Sequence, residues 1–270
     1  MSNLLGSFGM NYVRPNGLEF AFIDADNVRI GLSQSLMRRG VPVSQVGVFD
    51  LKNLFRSTAS DRYYVFGAVE KKGEPQEWLI SLRSSPNFIF KEGVLTVNGT
   101  KRKQQGVDVL IAVEALRCAQ QRTMNSCVIF SGDGDLLPLV KALVDMGIFT
   151  TIVSFDDPEK SNVASDLRDA SDNYIHVGSR ILANCIGQND GRLTSQNLTV
   201  SHIRLLGPVS ELQVADTVYN AVIHPDGKAT LIMNQFPMSQ YGEATELPTI
   251  RFASVAGLTV YLTLVGSQLV

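Results

Sequence analysis

Phe20-Ala21-Phe22-Ile23 runs directly into Asp24-Ala25-Asp26-Asn27, and Cys127-Val128-Ile129-Phe130 runs into Ser131-Gly132-Asp133-Gly134-Asp135. Each apolar run is too short for a helix and too uniformly apolar for a half-exposed strand, so each reads as a buried parallel strand. Ligands of open α/β sheets bind at the carboxyl ends of such strands. Two strands that deliver several carboxylates to one edge create a strongly negative pocket. Carboxylates packed so closely repel unless protons or a cation hold them together, and the first expectation is therefore a divalent metal site.

The flanking sequence supplies the rest of such a sheet. A helix is expected over about Val28 to Arg39, ending at Gly40, and a second among residues 46–55. Arg62–Val69 has the β-branched and aromatic richness of a strand, and Glu74–Arg83 reads as a helix. Phe88–Phe90 and Val94–Val97 read as two short strands turning at Glu92-Gly93, followed by a polar, basic stretch from Lys101 to Gln105. Val107–Gln121 is a helix, with Val109, Leu110, Val113, Leu116 and Arg117 marking its period. A helix over Leu136–Met146, a strand over Ile148–Phe155, a short helix over Asn162–Ala170 and a last strand at Tyr174–Val177 continue the alternation. The expected fold class is α/β, a parallel sheet with helices on both faces.

Gly187–Gly191 has the composition of a linker. Beyond it, Leu198–Ile203, Gln213–Val222, Ala229–Asn234, Thr249–Ala253 and Leu258–Val265 are strand-like, and Asp226-Gly227 is a hairpin signal. The expected organisation is an α/β domain over residues 18–186 and a small all-β module over residues 192–270.

Composition narrows the class. The chain has 270 residues, 44% hydrophobic and 19% charged, with a net charge of −2, as in ordinary globular proteins and unlike a polycation. A nucleic-acid partner would need a local basic patch. Cys118, Cys127 and Cys185 show neither a disulfide framework nor a zinc-knuckle spacing, and Cys118 and Cys127 read as small buried hydrophobes. No basic-then-apolar leader or membrane-length apolar run is evident, so the expected location is the reducing cytoplasm, with no membrane partner.

Three segments converge on chemistry: Asp24 and Asn27 after the first strand, Asp108 at the start of the Val107 helix, and Asp133 and Asp135 after Phe130. Magnesium and manganese favour oxygen ligands, which suits a carboxylate cluster and needs none of the three histidines. Each residue has a second reading. Asp24, Asp26 or Asn27 could cap the following helix, Asp133 could serve a turn, Asp108 could favour a helix start, and Asp135 could cap the Leu136 helix. Glu114 lies about 120° around the helix from Asp108 and is expected outside the site. Lys101-Arg102-Lys103 forms the dense basic run, either a solvated loop or, lying just before Asp108, a phosphate holder.

Phe22–Val28, the Gly106-Val107-Asp108-Val109 helix start, and Ser131–Val140 resemble, in order and spacing, three motifs of the NYN domains, a branch of the PIN-like metal-dependent nucleases. Ser165–Tyr174 is similar to the close of that domain, and the pattern over residues 18–178 resembles the LabA-like subgroup. The resemblance implies endoribonuclease activity with Mg²⁺ or Mn²⁺. Asp24, Asp108 and Asp133 would form the metal site, Asp135 would support it, and Asn27 would position substrate or water. The sequence departs from the pattern at Gln105, where Lys is common, at Glu114, where Asp is usual, and at Gly134 and Leu136, where Ser and Phe are common.

The resulting expectation is a metal-dependent nuclease cleaving RNA, with Lys101, Arg102 and Lys103 on the substrate and the β module mediating homo-oligomerisation or protein recruitment. A non-catalytic RNA-binding regulator and a phosphohydrolase of small nucleotides are the competing readings.

Overall fold

The computed structural model describes residues 17–42, 49–68, 82, 85–98, 101–155, 162–186, 194–214, 217–234 and 237–266. The chain divides into two compact units, one of Met1–Ser35 and Phe55–Gly178, the other of Leu36–Leu54 and Ser179–Val270. The expected helix over Glu74–Arg83 and the linker at Gly187–Gly191 lie outside the described residues, apart from Leu82.

The first unit is built on β1 (Glu19–Asp24), β2 (Arg62–Ala68), β3 (Phe88–Asn98), β4 (Lys101–Gln105), β5 (Ser126–Phe130), β6 (Phe149–Ser154) and β7 (Asn173–His176). They form one sheet in the order β4-β3-β2-β1-β5-β6-β7. Every pairing among the described strands is parallel except that of β4 with β3. Helices α1 (Ala25–Arg38, of which Ala25–Ser35 falls in this unit), α2 (Leu51–Arg56, of which this unit holds Phe55 and Arg56), α3 (Val107–Gln120), α4 (Leu137–Asp145) and α5 (Asn162–Ala170) complete the alternation. The α/β expectation holds.

Burial on both faces explains the uninterrupted apolar strands. All six residues of β1 and all five of β5 are buried. On one face Phe20, Phe22, Tyr64, Phe66, Cys127 and Ile129 pack with Val107, Ile111, Ala115 and Cys118 of α3 and Leu139, Val140 and Leu143 of α4. Phe22 stacks on Tyr64 at 5.4 Å between ring centroids, and on the other face Phe55 of α2 meets Phe130 edge-on at 5.2 Å. Glu19 is buried at the amino end of β1, where its carboxylate accepts hydrogen bonds from Ser60 and Ser126. α1 closes tightly on this framework, since a Cβ at Gly31 would lie 2.8 Å from the Phe155 ring.

Two local expectations are corrected. The chain does not turn at Glu92-Gly93: β3 is continuous, its first part pairing with β2 as far as Gly93 opposite Ala68 and its second part with β4. Residues 101–105 are therefore a strand and not a loop. In α3 the buried positions are Val107, Ile111, Ala115, Cys118 and Ala119, whereas Val109 and Val113 are 63% and 58% exposed. A helix apolar on two faces gives a periodic signal that does not say which face is the core.

The second unit holds α6 (Ser179–Asn184) and a five-stranded sheet of β8 (Thr194–Thr199), β9 (Val209–Val214), β10 (Thr217–Ile223), β11 (Ala229–Ile232) and β12 (Glu246–Phe252). Its order is β8-β12-β11-β10-β9, antiparallel throughout. Asp226-Gly227 does make the β10–β11 turn, with Gly227 at φ 81°. The separate antiparallel sheet is as expected, but two helices accompany it, α7 (Val200–Leu206) and α8 (Val255–Gly266). Thr199 caps α7 by accepting from the His202 amide at 3.2 Å, which ends the strand expected to reach Ile203. Leu258, Val260, Leu262 and Leu264 alternate as in a strand, yet all are buried on α8, whose start is capped by Ser254 accepting from the Gly257 amide. Burial around most of the helix removes the polar face that would have shown a 3.6-residue period. Among the described residues no helix is long and apolar enough to cross a membrane.

Between β4 and α3 the backbone turns at Gly106, which sits at φ 79° and ψ 6° with open space around its Cα. A side chain there meets no clash but forces an L-residue into the left-handed region. Gly106→Ala is expected to lower stability by about 1–2 kcal/mol in chemical denaturation, without changing the slope of the unfolding transition.

Candidate metal centre at the sheet edge

β1 and β5 are adjacent, and the chain moves outward from this pair in opposite directions, to β2 and β3 on one side and to β6 and β7 on the other. The sheet order therefore reverses between them. In such sheets this switch point leaves a crevice beyond the carboxyl ends, because the helices that follow the two strands diverge. Asp24 ends β1 and the Ser131–Asp135 loop leaves β5, so both acidic segments enter this crevice. Asp108 reaches it from the first turn of α3.

Hydrogen bonds hold the two segments together. The Asn27 side-chain oxygen accepts from the Gly132 amide at 2.9 Å, joining the start of α1 to the loop after β5. Asp24 Oδ1 accepts from the Asn27 amide at 3.0 Å, which is why α1 begins at Ala25. Buried Ser131 accepts from the Asp133 amide at 3.1 Å, and Asp133 Oδ1 from the Asp135 amide at 3.0 Å. Asp24 and Asp133 thus each use one oxygen as a cap. The alternatives of cap or site residue are not exclusive, since a carboxylate has a second oxygen.

Asp108, Asp133 and Asp135 each offer a carboxylate oxygen within 4.8 Å of the others, so one ion could be held by all three. Asp24 lies apart from that group, 5% exposed, and its charge is felt by way of Asp108 and Asp133. Burial pushes the Asp24 carboxyl up from 3.8 to about 7, against the Asn27 amide, with repulsion from Asp108, Asp26 and Asp133 adding to the rise. Asp108 is also raised, by burial first and then by Asp133 and Asp135. Among the described residues no cation is paired with any of these four. Hard oxygen donors in this number fit Mg²⁺ or Mn²⁺.

The other charged residues divide clearly. Glu114 pairs with Arg117 on its own helix and with Lys91 of β3 at 3.4 Å, and these partners hold its carboxyl below the usual range although burial opposes them. It braces α3 against β3 and takes no part in the cluster. Asp26 faces Arg29 at 3.6 Å on the outside of α1. Lys101, Arg102 and Lys103 lie on β4, in register with Asn98, Val97 and Thr96. Sequence reasoning did not single out Ser131, although the serine before the glycine in Ser131-Gly132-Asp133 was there to be read. It also passed over a groove beside the cluster, lined from α3 and α4.

The NYN domain model matches residues 21–181. The chain belongs to the NYN domain family. Membership places it in the PIN-like nuclease superfamily, whose members are generally hydrolases of nucleic acid, and the matched span takes in β1, α3, β5 and every aspartate of the cluster. The structure is similar to a crystal structure of a protein of unknown function from Vibrio parahaemolyticus RIMD 2210633, at 16% identity and a TM-score of 0.46, covering 63% of this chain and 98% of that one. No curated protein matches the sequence.

A carboxyl raised in the fold favours its protonated state, so its contribution to stability is present below pH 3.8 and is lost as pH rises through about 7. The loss is on the order of 4 kcal/mol. Metal-free protein is therefore expected to melt at falling temperature between pH 5 and 8. Asp24→Asn, which keeps a capping oxygen, is expected to flatten that profile and to melt above the wild type at pH 8. A steep profile in the variant would show that Asp24 is not its source.

Proposed function

We infer that this NYN protein is a metal-dependent endoribonuclease of the LabA-like kind, acting on RNA in the cytoplasm. The observation that carries the reading is the grouping of Asp108, Asp133 and Asp135 at the switch point of an NYN domain, with Asp24 buried beside them. Asp24, Asp108, Asp133 and Asp135 would hold Mg²⁺ or Mn²⁺. Such an ion lowers the pKa of water and offsets charge that develops on a phosphodiester. The chain's own contribution is to keep the carboxylates in place. Asn27 fixes the β5 loop through Gly132 and stands beside Asp24, where it would position substrate, and Ser131 fixes the backbone of Asp133.

Substrate retention falls to β4, which carries Lys101, Arg102 and Lys103 immediately before Gly106 and α3. Their positive charge would grip the RNA backbone on either side of the acidic site. The antiparallel sheet of the second unit has two edge strands, β8 and β9, and exposed edges invite pairing. Homo-oligomerisation or recruitment of a protein partner is the role proposed for it. A cytoplasmic setting agrees with three free cysteines, all buried.

Purified protein is expected to cleave RNA when Mg²⁺ or Mn²⁺ is supplied and to lose cleavage on chelation. Asp24→Asn combined with Asp133→Asn is expected to lower the rate at least a hundredfold. Cleavage that survives in that variant would sink the assignment, and metal-dependent RNA binding with no cleavage would favour a regulator. Replacing Lys101, Arg102 and Lys103 together with alanine is expected to weaken RNA binding at low salt. It should also flatten the slope of log affinity against log salt by about 2.

A further inference from the structure

Beside the carboxylates runs a groove of about 430 Å³ between α3 and α4. Its walls are Val109, Ala112 and Leu116 from one helix and Pro138, Leu139 and Ala142 from the other. Asp108 and Asp135, two of the three grouped aspartates, line the same space. The groove and the acidic cluster are therefore one continuous surface, anionic at one end and apolar along the rest. Val109, Ala112, Val113 and Leu116 recur at the i, i+3, i+4, i+7 spacing of an apolar helix face, although α3 already buries Val107, Ile111, Ala115 and Cys118 on the sheet. Ala112 and Leu116 of this stripe pack in part against the core, whereas Val109 and Val113 are exposed, and apolar surface left exposed beside a cleft marks a binding surface. The volume lies within the range of about 300–1,000 Å³ usual for small-ligand sites.

We propose that this groove is a base subsite, which takes one unpaired nucleobase of the nucleic acid next to the phosphate held at the carboxylates. The inference rests on the nuclease reading above. Its grounds are the shared residues: an occupant must offer a phosphate or similar group to the metal end and a flat apolar face to the helices. A nucleotide joins those two features through a single sugar. The apolar walls offer no side-chain hydrogen bond to a base edge, so the subsite registers that a base is present more than which base it is. A base paired in a duplex is stacked away from such a surface and must first be extruded.

The test uses the full chain and short single-stranded RNAs, one intact and a series with a single abasic nucleotide moved along the strand. Binding is read by fluorescence anisotropy with Ca²⁺, and cleavage is mapped with Mn²⁺. One abasic position is expected to weaken binding about tenfold and to suppress cleavage at the neighbouring phosphate. Val109→Asn and Ala112→Gln, checked for wild-type melting, are expected to weaken binding of the intact strand and to be indifferent to the abasic position. Val109 is exposed, so its substitution leaves the fold intact if Ala112→Gln does not. Binding equal for intact and abasic strands overturns the proposal, as does full sensitivity to the abasic position in both variants. A change of mass by light scattering in Val109→Asn, with base dependence preserved, also overturns it and assigns the groove to a second copy of the chain. Base-dependent binding by a protein that cleaves nothing supports the subsite and removes the catalytic reading instead.

Discussion

The burial of carboxylates close together at the carboxyl edge of the sheet is the constraint around which the first unit's candidate site is built. Asp24, Asp108 and Asp133 come from three separate segments, and the fold holds them close although among the described residues none is paired with a cation. The raised Asp24 carboxyl records that cost, with burial the largest part. The neighbouring hydrogen bonds hold the arrangement against it. Asn27 ties α1 to the β5 loop, Ser131 and Asp133 fix that loop from within, and Gly106 lets α3 start where Asp108 meets the cluster. Strain stored at a functional edge is a familiar pattern, and here it is electrostatic more than conformational.

The apolar framework makes that arrangement affordable. β1 and β5 are buried on both faces, and the aromatic stack of Phe22 and Tyr64 joins β1 to its neighbour β2. A cluster of repelling carboxylates on a mobile loop would simply move apart. Asp24 sits at the end of a buried central strand, Asp108 in the first turn of a helix packed on the core, and Asp133 in a hydrogen-bonded loop directly after β5, so their backbones are fixed by the surrounding structure. A divalent ion would then be drawn to charge that is already assembled, so that its binding and the stability of the edge are linked.

Glu114 shows how charge is handled away from that edge. It is buried, yet Lys91 and Arg117 both pair with it. The contrast separates the two kinds of acid in this unit: Glu114 is paired and holds α3 to β3, whereas Asp24, Asp108 and Asp133 have no cation paired with them among the described residues. Where a family pattern usually has Asp, this chain has a longer acid that reaches two cations, which accords with a bracing role.

Much of the α/β unit was legible from residue order. The four-residue runs before Asp24 and Ser131 declared buried parallel strands because strands covered on both faces have no polar alternation to hide them, and three ordered motifs identified the NYN domain. The same one-dimensional pattern failed where burial is not one-sided. α3 is apolar on two faces, α8 is buried around most of its circumference, and β3 changes partners midway without breaking; in each case periodicity was present but pointed to the wrong face, element or turn. Nor could spacing reveal that carboxylate oxygens of Asp108, Asp133 and Asp135 lie within 4.8 Å of one another, or that an apolar groove adjoins them. Those facts depend on strand order and on the divergence of helices at a switch point, which bring together residues more than a hundred positions apart along the chain. Local sequence sets which groups a segment carries; only the tertiary packing sets the distances at which their charges meet.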